Sequence, residues 1–312
     1  MAVRPGRGEG GGAARAGSRT TTEGTGMAAT GTGQAEQVTE ALAYHAEGPV
    51  WHPSWGGLRW VDMHAGDLLT LRADGSVDRL HVGTLAAFVR PRTRGGYVVG
   101  LQRGIGLADD VDAPPVALPE LWTEGDVRMN EGGCDPAGTL YAGSMATDGS
   151  PGRGTLWRVA ADGTAAPLLT PVSISNGIDV SPDGSLAYYN DTATGGTDVL
   201  DVRDGALTGR RPWWRGQDDE RPDGLVVDAA GNVWVALNGA GAVRCLSPEG
   251  RTLAEVALPA SGVTACTLGG EDGRDLFVTT SREGLDDPEP EAGAVFRARV
   301  EVPGKPVLPY AG

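Results

Sequence analysis

Short apolar runs alternate with turn signals along most of the chain, from about Gln37 onwards. The runs are rich in Val, Leu, Trp and Tyr, and stretches with helical spacing are no longer than about ten residues. Asp-Gly or a close variant forms most of the turns, because Gly accepts a positive φ and Asp tolerates it. This pattern predicts an all-β protein built from consecutive hairpins.

The turns also recur with a longer period. Their acidic marker residues lie 21 to 27 positions apart, at 135, 162, 183, 204, 228, 249 and 272. Two turns in about 45 residues is the period of a four-stranded propeller blade. A large β-sandwich is the alternative, but its turns would come every ~8 to 12 residues without the longer period. Residues 37–312 have the length of about six such blades, so we predict a six-bladed β-propeller with a central site.

The first 36 residues have a different composition, in which Gly, Ala, Thr and Arg dominate. Their apolar surface is too small to offset the conformational entropy of an ordered chain. The arginines are not followed by an apolar run, which argues against a secretory signal. We therefore expect a disordered extension over residues 1–36 and one propeller domain over residues 37–312.

Composition and charge narrow the class of function. The net charge of −15 argues against a nucleic-acid partner, since binding to phosphates needs a positive surface. The apolar runs fall short of the ~18 residues of a membrane helix, so we expect no membrane association. The three cysteines lack disulfide or zinc-ligand spacing, which indicates reduced thiols and a cytoplasmic protein.

One polar position recurs in successive predicted blades. Asn130, Asn176 and Asp223 each stand before a short apolar strand and an Asp-containing turn, and they lie 46 and 47 positions apart. Glu47 precedes Asn130 by 83 positions, which is close to two blades. Because the inner strands of a propeller surround a central channel, we expect all four side chains to face that channel.

These four residues offer oxygen ligands only. Ca²⁺ suits such a set best, with Mg²⁺ and Mn²⁺ next. The four histidines all lie in the first third of the chain, without the HxH or HExxH spacing that indicates zinc. A single Asp or Asn before Gly is usually a turn residue, but three in register with a further carboxylate favour a metal site.

Four motifs resemble one known family. EGPVW, RMNEGGCDPAGTLYAGSM, SNGIDVSPDG and RPDGLVVDAAGNVWVA occur in this order and are similar to motifs of the SMP-30/gluconolactonase/LRE family, known also from regucalcin. The resemblance extends from residue 42 to about residue 300. It implies a six-bladed propeller with one divalent metal ion in the channel. It also implies hydrolysis of a small-molecule sugar-acid lactone, such as gluconolactone, to the aldonic acid.

The resemblance further implies particular roles for residues of the channel. Glu47, Asn176 and Asp223 match the metal ligands of the family, with Ca²⁺ as the expected ion and Zn²⁺, Mn²⁺ or Mg²⁺ as alternatives. Asp223 is the candidate general base, because one carboxylate oxygen can bind metal while the other reaches a water molecule.

A second group of residues matches the substrate pocket. Arg128 and Asn130 correspond to residues that line it, and we add Glu131, which stands where the family usually has Asp. The acidic residue that often follows the next strand is not at its usual place here, since Gly143-Ser144-Met145 leads into Ala146-Thr147 and Asp148 comes a little later, so either Glu131 or Asp148 can be the carboxylate that contacts substrate. These two departures bear on which substrate is preferred.

Two other functions fit the same scaffold. One is a hydrolase that acts on phosphotriesters through a similar oxygen-ligated ion, and the other is a non-enzymatic calcium-binding propeller. The polar pair of Arg128 and Asn130 beside the expected ion favours an enzyme over a calcium buffer. The sequence does not fit a serine hydrolase, because GxSxG is absent and every His precedes residue 82.

Overall fold

The computed structural model describes Met1, residues 33–203 and residues 205–312. Residues 2–32, which make up most of the extension that we expect to be disordered, lie outside the described residues, as does the turn residue Asp204. Among the described residues, no helix is long and apolar enough to span a membrane.

The described residues form twenty-five short strands and two 3-10 helices, Pro53–Trp55 and Thr192–Thr194. The strands are β1 (Gly33–Gln34), β2 (Glu36–Gln37), β3 (Ala46–His52), β4 (Gly57–Asp62), β5 (Asp67–Leu71), β6 (Val77–His81), β7 (Val89–Pro91), β8 (Tyr97–Leu101), β9 (Gly104–Ala108), β10 (Val116–Ala117), β11 (Val127–Cys134), β12 (Leu140–Ala146), β13 (Gly154–Val159), β14 (Ala165–Val172), β15 (Ser175–Val180), β16 (Leu186–Asp191), β17 (Gly196–Arg203), β18 (Ala206–Arg215), β19 (Arg221–Val227), β20 (Val233–Asn238), β21 (Ala242–Leu246), β22 (Thr252–Ala257), β23 (Val263–Gly269), β24 (Asp275–Thr280) and β25 (Val295–Arg299).

These strands form six antiparallel blades. Blades 1 to 5 consist of β3–β6, β7–β10, β11–β14, β15–β18 and β19–β22, and blade 6 consists of β23–β25 together with β2. The innermost strands β3, β7, β11, β15, β19 and β23 contact one another in this order, and β23 returns to β3. This closed ring confirms the predicted all-β, six-bladed propeller.

The N-terminal strands close the ring. β2 pairs with β25 at the outer edge of blade 6, and β1 pairs in parallel with β22 of blade 5. Residues 33–36, which we assigned to the disordered extension, are therefore paired in the structure. An outer edge strand is held through its backbone and needs few apolar side chains, so this segment carries no hydrophobic pattern.

Apolar side chains fill the spaces between blades. Phe88, from blade 2, packs in one cluster with Val50 of blade 1 and Met129 of blade 3. A second cluster joins Trp234 of blade 5 to Phe296 of blade 6. All three cysteines are free and buried.

The innermost strands approach each other so closely that some positions admit only glycine. A Cβ on Gly177 would lie 2.5 Å from the amide nitrogen of Leu225 and 2.7 Å from the carbonyl oxygen of Asp223. A Cβ on Gly224 would lie 2.4 Å from the Cβ of Ala265. These two glycines therefore bring blade 4 against blade 5 and blade 5 against blade 6.

The C-terminal segment covers one end of the channel. Lys305 forms an ion pair of 2.7 Å with Asp179, which lies three positions after Asn176 on β15. The amide of Tyr310 donates a hydrogen bond to the carbonyl of Pro91 at the end of β7. The channel is thus covered at the carboxyl ends of the inner strands, and the predicted site residues lie towards the other end.

The close approach at Gly177 yields a prediction about stability. Gly177→Ala should lower the free energy of unfolding by about 1–3 kcal/mol, because blade 4 must move away from blade 5. Gly125→Ala is the matched control, since a Cβ at that loop position meets nothing within 4 Å. The control should change stability by no more than about 0.5 kcal/mol in urea denaturation. Equal effects of the two substitutions would contradict the proposed constraint.

Candidate active site

A β-bulge recurs in the innermost strands, next to the predicted ligands. The pairing register shifts between Glu47 and Val50 in β3, between Ser175 and Ile178 in β15, and between Pro222 and Leu225 in β19. A bulge leaves a residue outside the ladder and redirects its side chain. The Glu-Gly, Asn-Gly and Asp-Gly steps of the sequence lie within these bulges, so the repeated motif places one buried polar residue at the same point of three innermost strands.

The three predicted metal ligands converge. Glu47, Asn176 and Asp223 are each no more than 6% exposed. Burial raises the pKa of Glu47 well above its ordinary value, and the charges of Asp223 and Glu131 raise it further. Burial raises the pKa of Asp223 to about 8, although the hydrogen bond from Asn238 opposes the shift. Like charges therefore meet in a nearly dry site.

Two buried oxygens in this group have no hydrogen-bond partner among the described residues, Asn176 Oδ1 and Asp223 Oδ1. The other atom of each group is fixed: Asn176 Nδ2 donates to Thr192 Oγ1 at 3.0 Å, and Asp223 Oδ2 accepts from Asn238 Nδ2 at 3.1 Å. An unsatisfied buried acceptor costs roughly 1–3 kcal/mol. A divalent cation would satisfy both oxygens and offset the carboxylate charges, so the donor set fits an oxygen-liganded ion.

Arg128 and Asn130 form a second part of the site. Arg128 Nη1 donates to Asn130 Oδ1 at 2.6 Å and to the carbonyl of Met129 at 3.0 Å, and it lies 3.1 Å from the sulfur of Met63. Asn130 Nδ2 donates to the carbonyl of Ser175 in blade 4 at 2.9 Å. Within the described part of the chain these guanidinium contacts all come from Nη1, which leaves Nε and Nη2 for a ligand.

Glu131 is paired inside the protein. Its carboxylate accepts a hydrogen bond from Arg90 of blade 2 at 3.0 Å and another from the amide of Gly132 at 2.7 Å. Burial raises the pKa of Glu131, while Arg90 opposes the shift. The residue is close enough to raise the pKa of Glu47. Its carboxylate is hydrogen-bonded to Arg90 and to the backbone rather than to a group of the expected substrate pocket. The assignment of Glu131 to that pocket therefore stays a prediction.

Sequence reasoning missed several side chains that adjoin the site. Asn238, at the end of β20, orients Asp223, and Thr192 orients Asn176. His45, His64 and Glu283 form a further cluster beside Arg128, whose charge interacts with those of His45 and Glu283. His45 stands two positions before Glu47, so the sequence carries His-x-Glu spacing here rather than HxH.

Comparison with known proteins agrees with this architecture. Residues 45–282 match the model of the SMP-30/gluconolactonase/LRE-like region. Regucalcin of Sus scrofa is 33% identical over 293 residues, which cover 89% of this chain and 98% of the relative. The 6-deoxy-6-sulfogluconolactonase of Pseudomonas putida is 37% identical over 279 residues, which cover 85% of this chain and 94% of the relative.

A solved structure is also similar. Regucalcin of Agrobacterium tumefaciens, described as a calcium-binding protein, aligns with a TM-score of 0.84 and 26% identity. The alignment covers 90% of this chain and 98% of that structure. The extent of these matches confirms the resemblance inferred from the motifs. The chain therefore belongs to the SMP-30/gluconolactonase/LRE family.

Proposed function

We propose that this protein is a divalent-metal-dependent lactonase that opens an aldonolactone, such as gluconolactone, to the aldonic acid. The observation that carries the proposal is the pair of unpartnered buried oxygens on Asn176 and Asp223 beside Glu47. Nε and Nη2 of the neighbouring Arg128 make no hydrogen bond among the described residues. An ion site next to free donors is the arrangement that a polar ester substrate needs.

The relatives support the same reaction class. The Pseudomonas putida relative is named for the hydrolysis of a gluconolactone derivative, and it shares 37% of its residues with this chain over the aligned region. The Agrobacterium tumefaciens neighbour is described as calcium-binding, which supports Ca²⁺ as the ion. A hard oxygen donor set leads to the same ion from the chemistry of the ligands.

Glu47, Asn176 and Asp223 would hold the ion. When bound, a divalent cation supplies positive charge that polarises the lactone carbonyl and stabilises the developing oxyanion. The ligands come from blades 1, 4 and 5, so their positions depend on the closed ring. Asn238 donates to Oδ2 of Asp223, and Thr192 accepts from Nδ2 of Asn176. The Oδ1 atom of each residue is thereby left free.

Asp223 would act as the general base. It takes a proton from the attacking water as the new carbon–oxygen bond forms. The proton then passes to the ring oxygen as the ester bond breaks, which yields the open hydroxy acid. A base works best when its pKa lies near the working pH. Burial raises the pKa of Asp223 to about 8, and the charge of a bound cation would lower it from there.

Arg128 and Asn130 would bind and orient the substrate. The free donors of Arg128 suit the hydroxyl groups or the carbonyl oxygen of a lactone. Asn130 acts on Arg128, because its Oδ1 accepts from Nη1 at 2.6 Å and its amide is fixed to blade 4. Such fixed orientation of the substrate lowers the entropic part of the barrier.

A substrate panel tests the reaction. The calcium-loaded protein should hydrolyse gluconolactone and related aldonolactones above the uncatalysed rate, and a chelator should abolish turnover until Ca²⁺ is restored. Turnover is measured by the acid released. Faster hydrolysis of phosphotriesters would favour the alternative hydrolase. Tight calcium binding without turnover of any lactone would favour the non-enzymatic propeller.

The role of Asp223 is tested by its isosteric amide. Asp223→Asn should lower kcat/KM by at least about a hundred-fold, since general base catalysis is worth ~10²–10⁴ in rate. Asp162→Asn, which alters an exposed turn carboxylate, is the control and should retain full activity. Circular dichroism would establish that both variants are folded. Full activity of Asp223→Asn would remove this residue from the mechanism.

The crowded carboxylates also predict how stability depends on pH. In metal-free protein the folded state retains a proton on Asp223 between its ordinary pKa of 3.8 and about 8, whereas the unfolded chain loses it. The free energy of unfolding should therefore fall as pH rises through this window, by up to about 1.4 kcal/mol per pH unit for each retained proton.

Calcium is expected to remove this pH dependence, because the bound ion stabilises the charged carboxylates. Urea denaturation across the window, with chelator and with Ca²⁺, measures the difference. Asp223→Asn should flatten the profile of the chelated protein. A stability that rises with pH in the chelated protein would contradict the predicted sign.

A further inference from the structure

Three metal-ligating side chains meet at the end of the channel that the C-terminal segment leaves uncovered. His45 immediately precedes β3, His64 follows β4, and Glu283 follows β24. The first two belong to blade 1 and the third to blade 6, so the cluster forms only where the ring closes. Residues 45 and 281 form a β-bridge that holds the two blades together at this point.

The donor atoms of the three side chains point at one another. Glu283 bridges the two imidazoles: its Oε1 lies 2.7 Å from His64 Nε2, and its Oε2 lies 3.4 Å from His45 Nδ1. One donor atom from each residue lies within 4.8 Å of the other two. Two ligand atoms of a tetrahedral zinc ion lie about 3.4 Å apart, so a bound ion would draw the three donor atoms closer together by rotation of the side chains.

Neighbouring groups hold the cluster in place. Ser281 Oγ accepts a hydrogen bond from the amide of Glu283 at 2.8 Å and lies 2.6 Å from His45 Nδ1, a contact that an ion bound at Nδ1 would replace. The side chain of His45 is 9% exposed, whereas those of His64 and Glu283 are 32% and 40% exposed. One ligand is thus anchored in the protein, and two face solvent, from which an ion can enter.

We propose that His45, His64 and Glu283 form a second cation site, which binds Zn²⁺ or a similar transition ion in preference to Ca²⁺. Two imidazoles and one carboxylate are a ligand set that zinc uses in proteins, with a fourth position left open. Calcium prefers six to eight oxygens and finds one carboxylate here. The site therefore differs in chemistry from the oxygen-only group of Glu47, Asn176 and Asp223, although it lies beside it.

The experiment measures Zn²⁺ binding while the oxygen-only site is occupied. Protein stripped with a chelator and saturated with Ca²⁺ is dialysed against Zn²⁺, and bound zinc is counted per chain. One equivalent is expected. Glu283→Gln and His64→Ala should each weaken zinc binding at least ten-fold, and His64→Ala, which removes no carboxylate charge, should change calcium affinity less than two-fold. His81→Ala is the control, since that exposed imidazole pairs with Asp67 outside the cluster.

Co²⁺ gives a second readout that reports ligand type. With Ca²⁺ present, Co²⁺ bound to two imidazoles and a carboxylate should show visible absorption, and His64→Ala should abolish it. Both substituted residues are partly exposed, so the variants should fold, which thermal unfolding checks. Absence of bound zinc in the calcium-saturated protein, or unchanged zinc affinity in both variants, would overturn the proposal.

The two proposals can fail separately. Asp223→Asn should impair calcium binding and lactone hydrolysis while the zinc equivalent remains. If Asp223→Asn lost both zinc binding and calcium binding, both ions would be assigned to the oxygen-only group. That result would overturn the proposal of a second site. A protein that binds zinc at the histidines but opens no lactone would leave the second site intact and contradict the proposed function.

Discussion

The innermost strands of neighbouring blades approach so closely that a single Cβ at Gly177 or Gly224 would overlap the next blade. This approach narrows the channel and forces side chains from different blades into one small volume. The bulges that redirect Glu47, Asn176 and Asp223 use the same glycine steps. The close packing of the inner strands therefore also fixes the positions of the polar groups. A substitution that moves one blade away from the next would displace these groups as well.

The narrow channel has an electrostatic consequence. Glu47, Glu131 and Asp223 are buried together. Burial of each ionised carboxylate costs more free energy here than it would alone, because its neighbours carry the same charge. Arg90 pairs with Glu131, and the charge of Arg128 interacts with those of Glu283, Glu47 and Asp223. Two unpartnered oxygens lie beside these carboxylates, so the centre of the propeller offers acceptors of the kind that a cation binds.

Local repetition made much of this site predictable. Asn176 and Asp223 are separated by the length of one blade, so the period predicts that they occupy equivalent positions in neighbouring blades. Glu47 precedes Asn130 by about two blade lengths, which predicts an equivalent position for Glu47 in the first blade. Pairs without a period could not be found in this way. Glu131 pairs with Arg90 across blades, and His64 meets Glu283 from 219 positions away. Strand β1 escaped prediction because a backbone-paired edge leaves no hydrophobic pattern.

The closing strands bear on how the chain folds as it is made. Glu36 in β2 pairs with Arg297 in β25, 261 positions later. During synthesis the first strands of the fold leave the ribosome early, yet their partners are among the last segments to emerge. Blades 2 to 4 can assemble from local hairpins as these are synthesised, but the ring cannot close before the final strand has been made. Ring closure is thus a late event, and the histidine cluster at the seam between blades 1 and 6 forms only with it.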